Sequence, residues 1–458
     1  MRRSVRLAAL VLPGALACCL AVGACSKPEP PFVPRQVAPV VQVDPARPCT
    51  GAAQSGAGQS GAAQSAGAQA AAPAPAAPAV PVRAAFNAGV ITLSAGQGVT
   101  LAALGRAVGR PDALRETAPG QWLLGVDLVV VKGASLRIAA PEAQWLKLRS
   151  EPGRFASVKV LGGALDIRGT CITSWDTGAQ RADVEPADGR SFLLARDGAQ
   201  MTIDRAELRY LGYGAVESYG LSWRTQGTTG GITNSVVSHL FYGVYSNAIE
   251  GLVVAGNEFY SNVLYGIDPH TGSRNLRIER NVVHDNGKHG IILAEDCTDS
   301  VISNNVVYRN GHHGIVLYQR SDRNTVEQNE SFLNAAQGIN VNESAENILR
   351  GNRVYQNTES GIGVGQTAQR NVVELNQIRL NQQDGVRLVS EAAQNAVRGN
   401  VIGGNVRYGV YVDGDGGFDM TANKIFGSQV GVLLKGTDQQ PGGNNQMHEN
   451  RDGDLKVK

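Results

Sequence analysis

The sequence predicts an all-β fold, a right-handed parallel β-helix of 22–24-residue coils with a short capping helix at its N-terminal end. Three observations carry the prediction. Glycines, mostly preceded by an aromatic or polar residue and followed by an aliphatic one, recur at Gly220, Gly243, Gly266, Gly290, Gly314, Gly338, Gly361, Gly385, Gly409 and Gly431, in steps of 22 to 24. Asparagines at Asn234, Asn257, Asn281, Asn305, Asn329, Asn352, Asn376, Asn400 and Asn423 keep the same phase. Composition agrees: 56 of 458 residues are Gly and only 5% are aromatic, which suits a thin repeated core better than a thick globular one. A period of this length, with short strands and Asn at the turns, is one coil of a β-helix, whose like positions stack about 4.8 Å apart. Leucine-rich repeats share the period but need a leucine consensus absent here. Right-handedness follows from the crossover preference of parallel strands. The asparagines are expected to bond amide to amide along the coils.

Residues 1–24 read as a bacterial export signal: Arg2, Arg3 and Arg6, an apolar run from Leu7 to about Leu20, then Val22-Gly23-Ala24-Cys25. The run is too short for a membrane-spanning helix. Val-Gly-Ala-Cys resembles the lipobox of bacterial lipoproteins, which implies lipidation of Cys25 and, with Ser26 next to it, a periplasmic protein anchored to the outer membrane; secretion is the alternative. Residues 25–83 are expected to be a tether, because Gly51 to Ala79 is almost pure Ala, Gly, Gln, Ser and Pro, with nothing to bury. Thr100 is a candidate N-cap for a helix within 98–108, placed to close the open edge of the first coil. Trp122-Leu-Leu, Leu128-Val-Val-Val, Leu136-Arg-Ile, Val158-Lys-Val and Leu165-Asp-Ile read as strands of less regular coils. The β-helix is expected over 84–435, followed by a polar tail at 436–458 that frays.

Cys49, Cys171 and Cys297 stand beside Cys25 in the exported chain and allow one disulfide at most, so covalent staples are not what holds the fold. The formal charge of +2 falls to −1 without the three signal arginines, which argues against nucleic acid as a partner.

If the residue after each glycine points inward, the residues one before, two after and four after it face outward on one side. The three columns hold Tyr219, Tyr242, Tyr245, Tyr265, Asp268, His270, His289, His313, Tyr318, Arg224 and Arg387, a long polar and aromatic groove that suits an extended polymer. Five of the seven histidines, His270, His284, His289, His312 and His313, lie within 44 residues. Around them stand Lys288, Glu295 and Arg320, with Pro269 expected to break a strand at the same coil.

Tyr265-Gly-Ile-Asp-Pro-His270 resembles the mannuronan (alginate) C-5-epimerases, in which a Tyr-Gly-Phe/Ile-Asp-Pro-His motif lies on a β-helix strand. Ile172-Thr-Ser-Trp-Asp176 and Glu217-Ser-Tyr-Gly-Leu-Ser222 are similar to segments of the periplasmic, export-associated branch, and the resemblance covers about residues 85 to 435. It implies a catalytic domain over 84–435 that epimerises poly(β-D-mannuronate), an anionic polyuronate, in connection with an exopolysaccharide export complex. Two positions depart from the pattern. Thr271 stands where the branch usually has a second Asp, and Glu295 falls near where it has an Arg. Glu295 follows the secreted branch instead, whose calcium-binding nonapeptide repeats are absent, so calcium is not indicated and no cofactor is expected.

Inverting a uronate at C-5 means removing the proton beside a carboxylate and returning one from the other face, so the site needs a base, an acid and a means of neutralising that carboxylate. His270 is the expected base and Tyr265 the acid. Asp268 or Glu295, held protonated, would hydrogen-bond the substrate carboxylate. Position alone adds Lys288 and Arg320, and the groove columns supply His289, His313, Tyr318, Arg224, Tyr245 and Arg387 as substrate-binding residues. The same intermediate can expel the 4-linked sugar, which makes a polysaccharide lyase the nearest rival. A hydrolase using Asp268 and Glu295, a copper or zinc site on His270, His289 and His313, and an export scaffold are the remaining readings.

Overall fold

A computed structural model describes residues 32–39, 42–49 and 81–458. The expected export signal, the lipidation site at Cys25 and the Ala/Gly tract lie outside the described residues. Residues 32–39 carry no helix or strand. The described chain from residue 42 onward belongs to one compact unit, a parallel β-solenoid of about 14 coils, which is the fold class the repeats predict.

Each regular coil places one strand on each of three faces, as Ile267–His270, Arg277–Glu279 and Val282–His284 do. They pair in parallel with the equivalent strands one coil on, Ile291–Ala294, Val301–Ser303 and Val306–Tyr308. Ile267, Ile291, Ile315, Ile339 and Ile362, each following a repeat glycine, are completely buried, as are the middle residues Ile278 and Val283 of the short strands. The glycines recur because neighbouring coils press together at that bend. A Cβ at Gly290 would lie 2.5 Å from Val307 Cγ1 and 2.8 Å from the Gly314 carbonyl oxygen, so no side chain fits.

The asparagine ladder runs through buried side chains. Asn257 Nδ2 donates to Asn281 Oδ1, and the pattern continues through Asn305, Asn329, Asn352, Asn376, Asn400 and Asn423 to Asn445 at 2.9 to 3.0 Å. Each Oδ1 also accepts a backbone N–H one coil back, as Asn329 Oδ1 does from Asn305 (2.9 Å). The expected series needs correction at its first member. The ladder position in that coil is Ser235, whose N–H reaches Asn257 Oδ1 (2.9 Å), while Asn234 is one residue out of register and bonds Asp204 instead. The sequence reading also missed two further ladders of the same step. One joins Asn262, Asn286, Asn310, Asn334, Asn357, Asn381 and Asn405; the other joins Asn347, Asn371 and Asn395.

Both ends differ in part from expectation. The helix Leu101–Val108 forms as predicted: Thr100 Oγ1 accepts the Ala103 N–H, Gly109 terminates it in the left-handed region (φ 63°), and Leu101 and Leu104 are buried against the first coil. The expected tether over 25–83 is interrupted, because residues 42–49 dock on the solenoid. Pro45 O accepts the Ala182 N–H (2.7 Å), and Cys49 forms a disulfide with Cys171, 122 residues away; Cys297 is free and buried. The first strand, Arg83–Asn87, begins one residue before the expected boundary. The tail at 436–458 does not simply fray: Gln446–His448 and Leu455–Val457 pair in parallel with the preceding coil, Asn445 extends the first ladder, and Asn450 Oδ1 accepts the Ser428 N–H (3.1 Å). Pro269 does not break its strand either. It pairs opposite Ser246 within Ile267–His270, and only the register to the next coil lapses at residues 268 and 269, where proline offers no N–H.

Asn305→Ala should lower stability by about 1 to 3 kcal/mol in denaturant unfolding, because it strips partners from buried amides in two neighbouring coils. Asn234→Ala, outside the ladder, should change it by less than about 0.5 kcal/mol. Equal effects of the two would contradict the register described here.

Candidate active site

Strand register brings the groove together. Tyr245 pairs opposite Asp268 and Asn247 opposite His270; farther along, Ile292, Val316, Asn340 and Gly363 follow one another in one column, and Ala294, Tyr318, Asn342 and Gly365 in the next. The column one residue before the glycines is a continuous row of rings, tilted from Tyr219 to Tyr242 (4.6 Å between centroids) and from Tyr242 to Tyr265 (5.0 Å), then stacked from Tyr265 to His289 (5.4 Å) and from His289 to His313 (5.2 Å). Between the columns lies a cavity of about 500 Å³, within the usual range of small-molecule ligand sites.

Of the residues expected in the site, Tyr245, Tyr265, Asp268, His270, Lys288, His289, His313 and Tyr318 all line this cavity. Glu295 stands beside it, one coil beyond Thr271. Arg224 lies two coils back with its guanidinium 4.5 Å above the Tyr245 ring, buried, and its Nε and Nη2 have no hydrogen-bond partner. Arg387 lies farther down the groove, 4.7 Å over Tyr411 and paired with Asp384 (3.1 Å). Arg320 is not among the lining residues. It sits at the turn after its strand, where Asp296 holds it in a two-bonded pair (2.7 and 2.8 Å), so the added charge expected from Lys288 or Arg320 rests with Lys288. Tyr219, Tyr242, His312, Asn340 and Asn342 also line the cavity, and an apolar floor of Ile292, Ala294 and Val316 lies beneath. Tyr219 and Tyr242 stand in the columns, and His312 in the histidine cluster, that the sequence shows; Asn340, Asn342, Ile292, Ala294 and Val316 occupy the same columns, and reading these for cavity walls rather than for titratable groups alone would have found them.

Asp268 is 2% exposed, and its Oδ1 has no hydrogen-bond partner. Burial drives its pKa well above 3.8, Lys288 pulls it down and Glu295 pushes it up. Burial thus favours the protonated carboxyl, the form able to donate a hydrogen bond to a substrate carboxylate. Burial also lowers the pKa of His270, with Glu295 opposing and Arg224 assisting, so the imidazole is available as a base. Its ring stacks on Tyr245 at 5.9 Å. Lys288 Nζ donates to the Tyr265 hydroxyl oxygen (2.9 Å), which leaves the phenolic hydrogen free to point into the cavity and places a cation against any negative charge formed there.

Burial keeps His289 and His313 neutral as well. Burial, with the neighbouring histidines assisting, drives His289 to about 2 and His313 to about 3. Each Nδ1 accepts a backbone N–H, from His313 at 3.3 Å and from Gln337 at 3.0 Å, so the ring hydrogen is on Nε2 and both rings are hydrogen-bond donors. Among the described residues no group of three or more His, Cys, Asp or Glu side chains is placed to hold a metal ion.

The buried acid also has a stability consequence. Unfolded, the Asp268 carboxyl ionises above its ordinary value of 3.8; folded, it stays protonated to a higher pH, so its contribution to stability falls as pH rises through that interval. The melting temperature of Asp268→Asn relative to the parent protein should therefore climb as pH rises above the ordinary carboxyl value of 3.8, while turnover is lost. A difference independent of pH would mean that Asp268 is ionised in the folded protein.

The right-handed β-helix region profile matches residues 193–341 and 299–452. The mannuronan C5-epimerase of Pseudomonas fluorescens is 35% identical over 201 residues, 41% of this chain and 37% of the relative. The mannuronan C5-epimerase AlgG of Azotobacter vinelandii is 34% identical over 200 residues, 40% of this chain and 37% of that protein. The matched segment thus spans little more than a third of these relatives. The crystal structure of the periplasmic alginate epimerase AlgG superposes with a TM-score of 0.60 at 26% identity, over 80% of this chain and 85% of the other. The chain belongs to the right-handed β-helix family and, within it, is similar to mannuronan C5-epimerases.

Proposed function

We propose that the protein is a poly(β-D-mannuronate) C-5-epimerase acting on the intact polymer. The observation that carries the reading is the buried Asp268, with Oδ1 unpartnered and its pKa raised by burial, in one cavity with His270 and Tyr265. The mannuronate carboxylate accepts a hydrogen bond from Asp268 and lies near the Lys288 ammonium, so negative charge can spread onto it without full ionic repulsion. His270 Nε2 takes the C-5 proton, the electron pair of the broken C–H bond delocalises into the carboxylate, and the Tyr265 hydroxyl returns a proton to the opposite face. The enzyme is left with an imidazolium and a phenolate stabilised by Lys288, and proton exchange with solvent restores both. No cofactor is needed for these steps.

The groove accounts for a polymeric substrate. From the Arg224 coil to the Arg387 coil is seven steps of about 4.8 Å, roughly 34 Å of extended chain. The Nε2–H groups of His289 and His313 offer uncharged donors to sugar hydroxyl or carboxylate oxygens in the first two coils beyond the centre. Arg224 offers a desolvated guanidinium on the other side. As part of the same proposal, the protein works in the periplasm, as AlgG does by its description, held to the outer membrane by a lipid on Cys25 and associated with an exopolysaccharide export assembly.

Proton NMR of polymannuronate incubated with the purified protein should reveal the C-5 epimer with chain length preserved. His270→Ala and Tyr265→Phe should each lower turnover by about two to four decades with unchanged far-UV dichroism. Unsaturated chain ends would make the protein a lyase, and no change in any polyuronate would defeat the reading. Arg387→Ala should raise KM for long chains only, leaving oligomers too short to span the five coils, about 24 Å, from His270 unaffected; equal losses at every length would remove Arg387 from the groove's binding surface.

A further inference from the structure

Thr271 and Glu295 are one coil apart in the column that follows the groove strand. The Thr271 N–H donates to Ala294 O and the Gly272 N–H to Glu295 O, both at 2.9 Å. Stacking at this spacing brings the two side chains together. Thr271 Oγ1 donates to Glu295 Oε2 (2.9 Å) and lies 2.7 Å from His270 Nδ1. The direct distance from Nδ1 to Glu295 Oε2 is 3.5 Å, too long for a hydrogen bond of its own. A threonine hydroxyl has one hydrogen. Donation to Glu295 Oε2 uses that hydrogen, and the hydroxyl has only lone pairs left to offer His270.

We propose that Thr271 and Glu295 form a positioning relay that holds His270 in its Nδ1–H tautomer and leaves Nε2 as the proton acceptor. The inference rests on the epimerase reading for its consequence in turnover, but the tautomer itself does not depend on it. When Nε2 takes a proton, no proton moves along the relay: Nδ1–H stays donated to Thr271 and Oγ1–H to Glu295, and the carboxylate stabilises the imidazolium through the intervening hydroxyl. The backbone fixes where the Thr271 side chain lies. Thr271 has φ 33°, the left-handed turn that this column adopts in coil after coil, as at Thr225, Ala248, Glu295 and Gln319. It is held there by the Ala294 bond and by the Ala248 N–H donating to its carbonyl (2.9 Å).

The relay sets His270 apart from its neighbours. In His289 and His313 the Nδ1 accepts and the ring donates from Nε2; in His270 the Nδ1 donates and Nε2 is free to accept. Three histidines in one groove thus hold two opposite tautomers, each fixed by what meets Nδ1. The other groups that face His270 are the Tyr245 ring, Asn247, Arg224 two coils back and Asp268 on its own strand.

The test combines a spectroscopic and a kinetic reading on the full-length protein. With 15N-labelled histidine, ring nitrogen shifts at a pH where His270 is neutral should identify it as Nδ1–H and His289 and His313 as Nε2–H. Thr271→Val, which keeps the shape and removes the hydroxyl, should return His270 to a mixture of tautomers and lower kcat by about one to three decades with little change in KM. Thr271→Ser should keep the tautomer and stay within about threefold of the parent rate. Should Thr271→Val fail to fold, Glu295→Gln tests the same link, because an amide can donate toward the hydroxyl and loosen its orientation. An Nε2–H His270 in the parent protein, or a folded Thr271→Val variant with the parent tautomer and rate, overturns the relay. A protein inactive on every polyuronate but carrying Nδ1–H at His270 overturns the epimerase reading and leaves the relay standing.

Discussion

In-register stacking of coils at about 4.8 Å is the constraint on which everything else in this molecule depends. Because like positions lie directly above one another, a residue type repeated at 23 or 24 residues becomes a physical column. Asparagine repeated in this way becomes a ladder whose amides bond to one another and to the backbone. Glycine repeated becomes the bend at which coils touch. Tyrosine and histidine repeated become a wall of stacked rings beside a groove. The fold and the candidate site are thus one pattern, read on the inner and outer faces of the same strands.

Stacking also decides the chemistry of individual side chains. Asp268 lies on the outward side of its strand, yet the rings and coils around it bury its carboxyl and raise its pKa. An identical carboxyl on an exposed turn, such as Asp296, is held below its ordinary range by its hydrogen bonds to Arg320. The histidines show the same dependence on neighbours. A backbone N–H one coil on fixes His289 and His313 as donors, whereas a hydroxyl beside His270 leaves its other nitrogen free. These environments carry a stability cost that the three asparagine ladders and the aliphatic core offset.

Much of this was legible in the sequence because periodicity needs no tertiary knowledge. The glycine series located the coils, alternation located the groove columns, and Thr100 located the capping helix. Where reading failed, the cause was local. Asn234 has the right residue type and almost the right spacing, but a one-residue offset leaves Ser235 in the ladder. Residues 42–49 look like the rest of a polar, proline-rich linker, and only the partner of Cys49, 122 residues away, reveals that they dock. Arg320 lies close in sequence to the groove strand, but two residues past its end the chain has turned, and Asp296 one coil earlier claims its guanidinium. Thr271 read as a departure from the family's motif, and its partnership with Glu295 emerges only when the two coils are stacked.

The most direct test of the account is the reaction run in deuterium oxide. If His270 and Tyr265 exchange a proton at C-5 through solvent-accessible groups, polymannuronate treated with the protein should carry deuterium at C-5 of each inverted residue, with no loss of chain length. Inverted residues without deuterium, or deuterium-free polymer shortened to unsaturated ends, would contradict it.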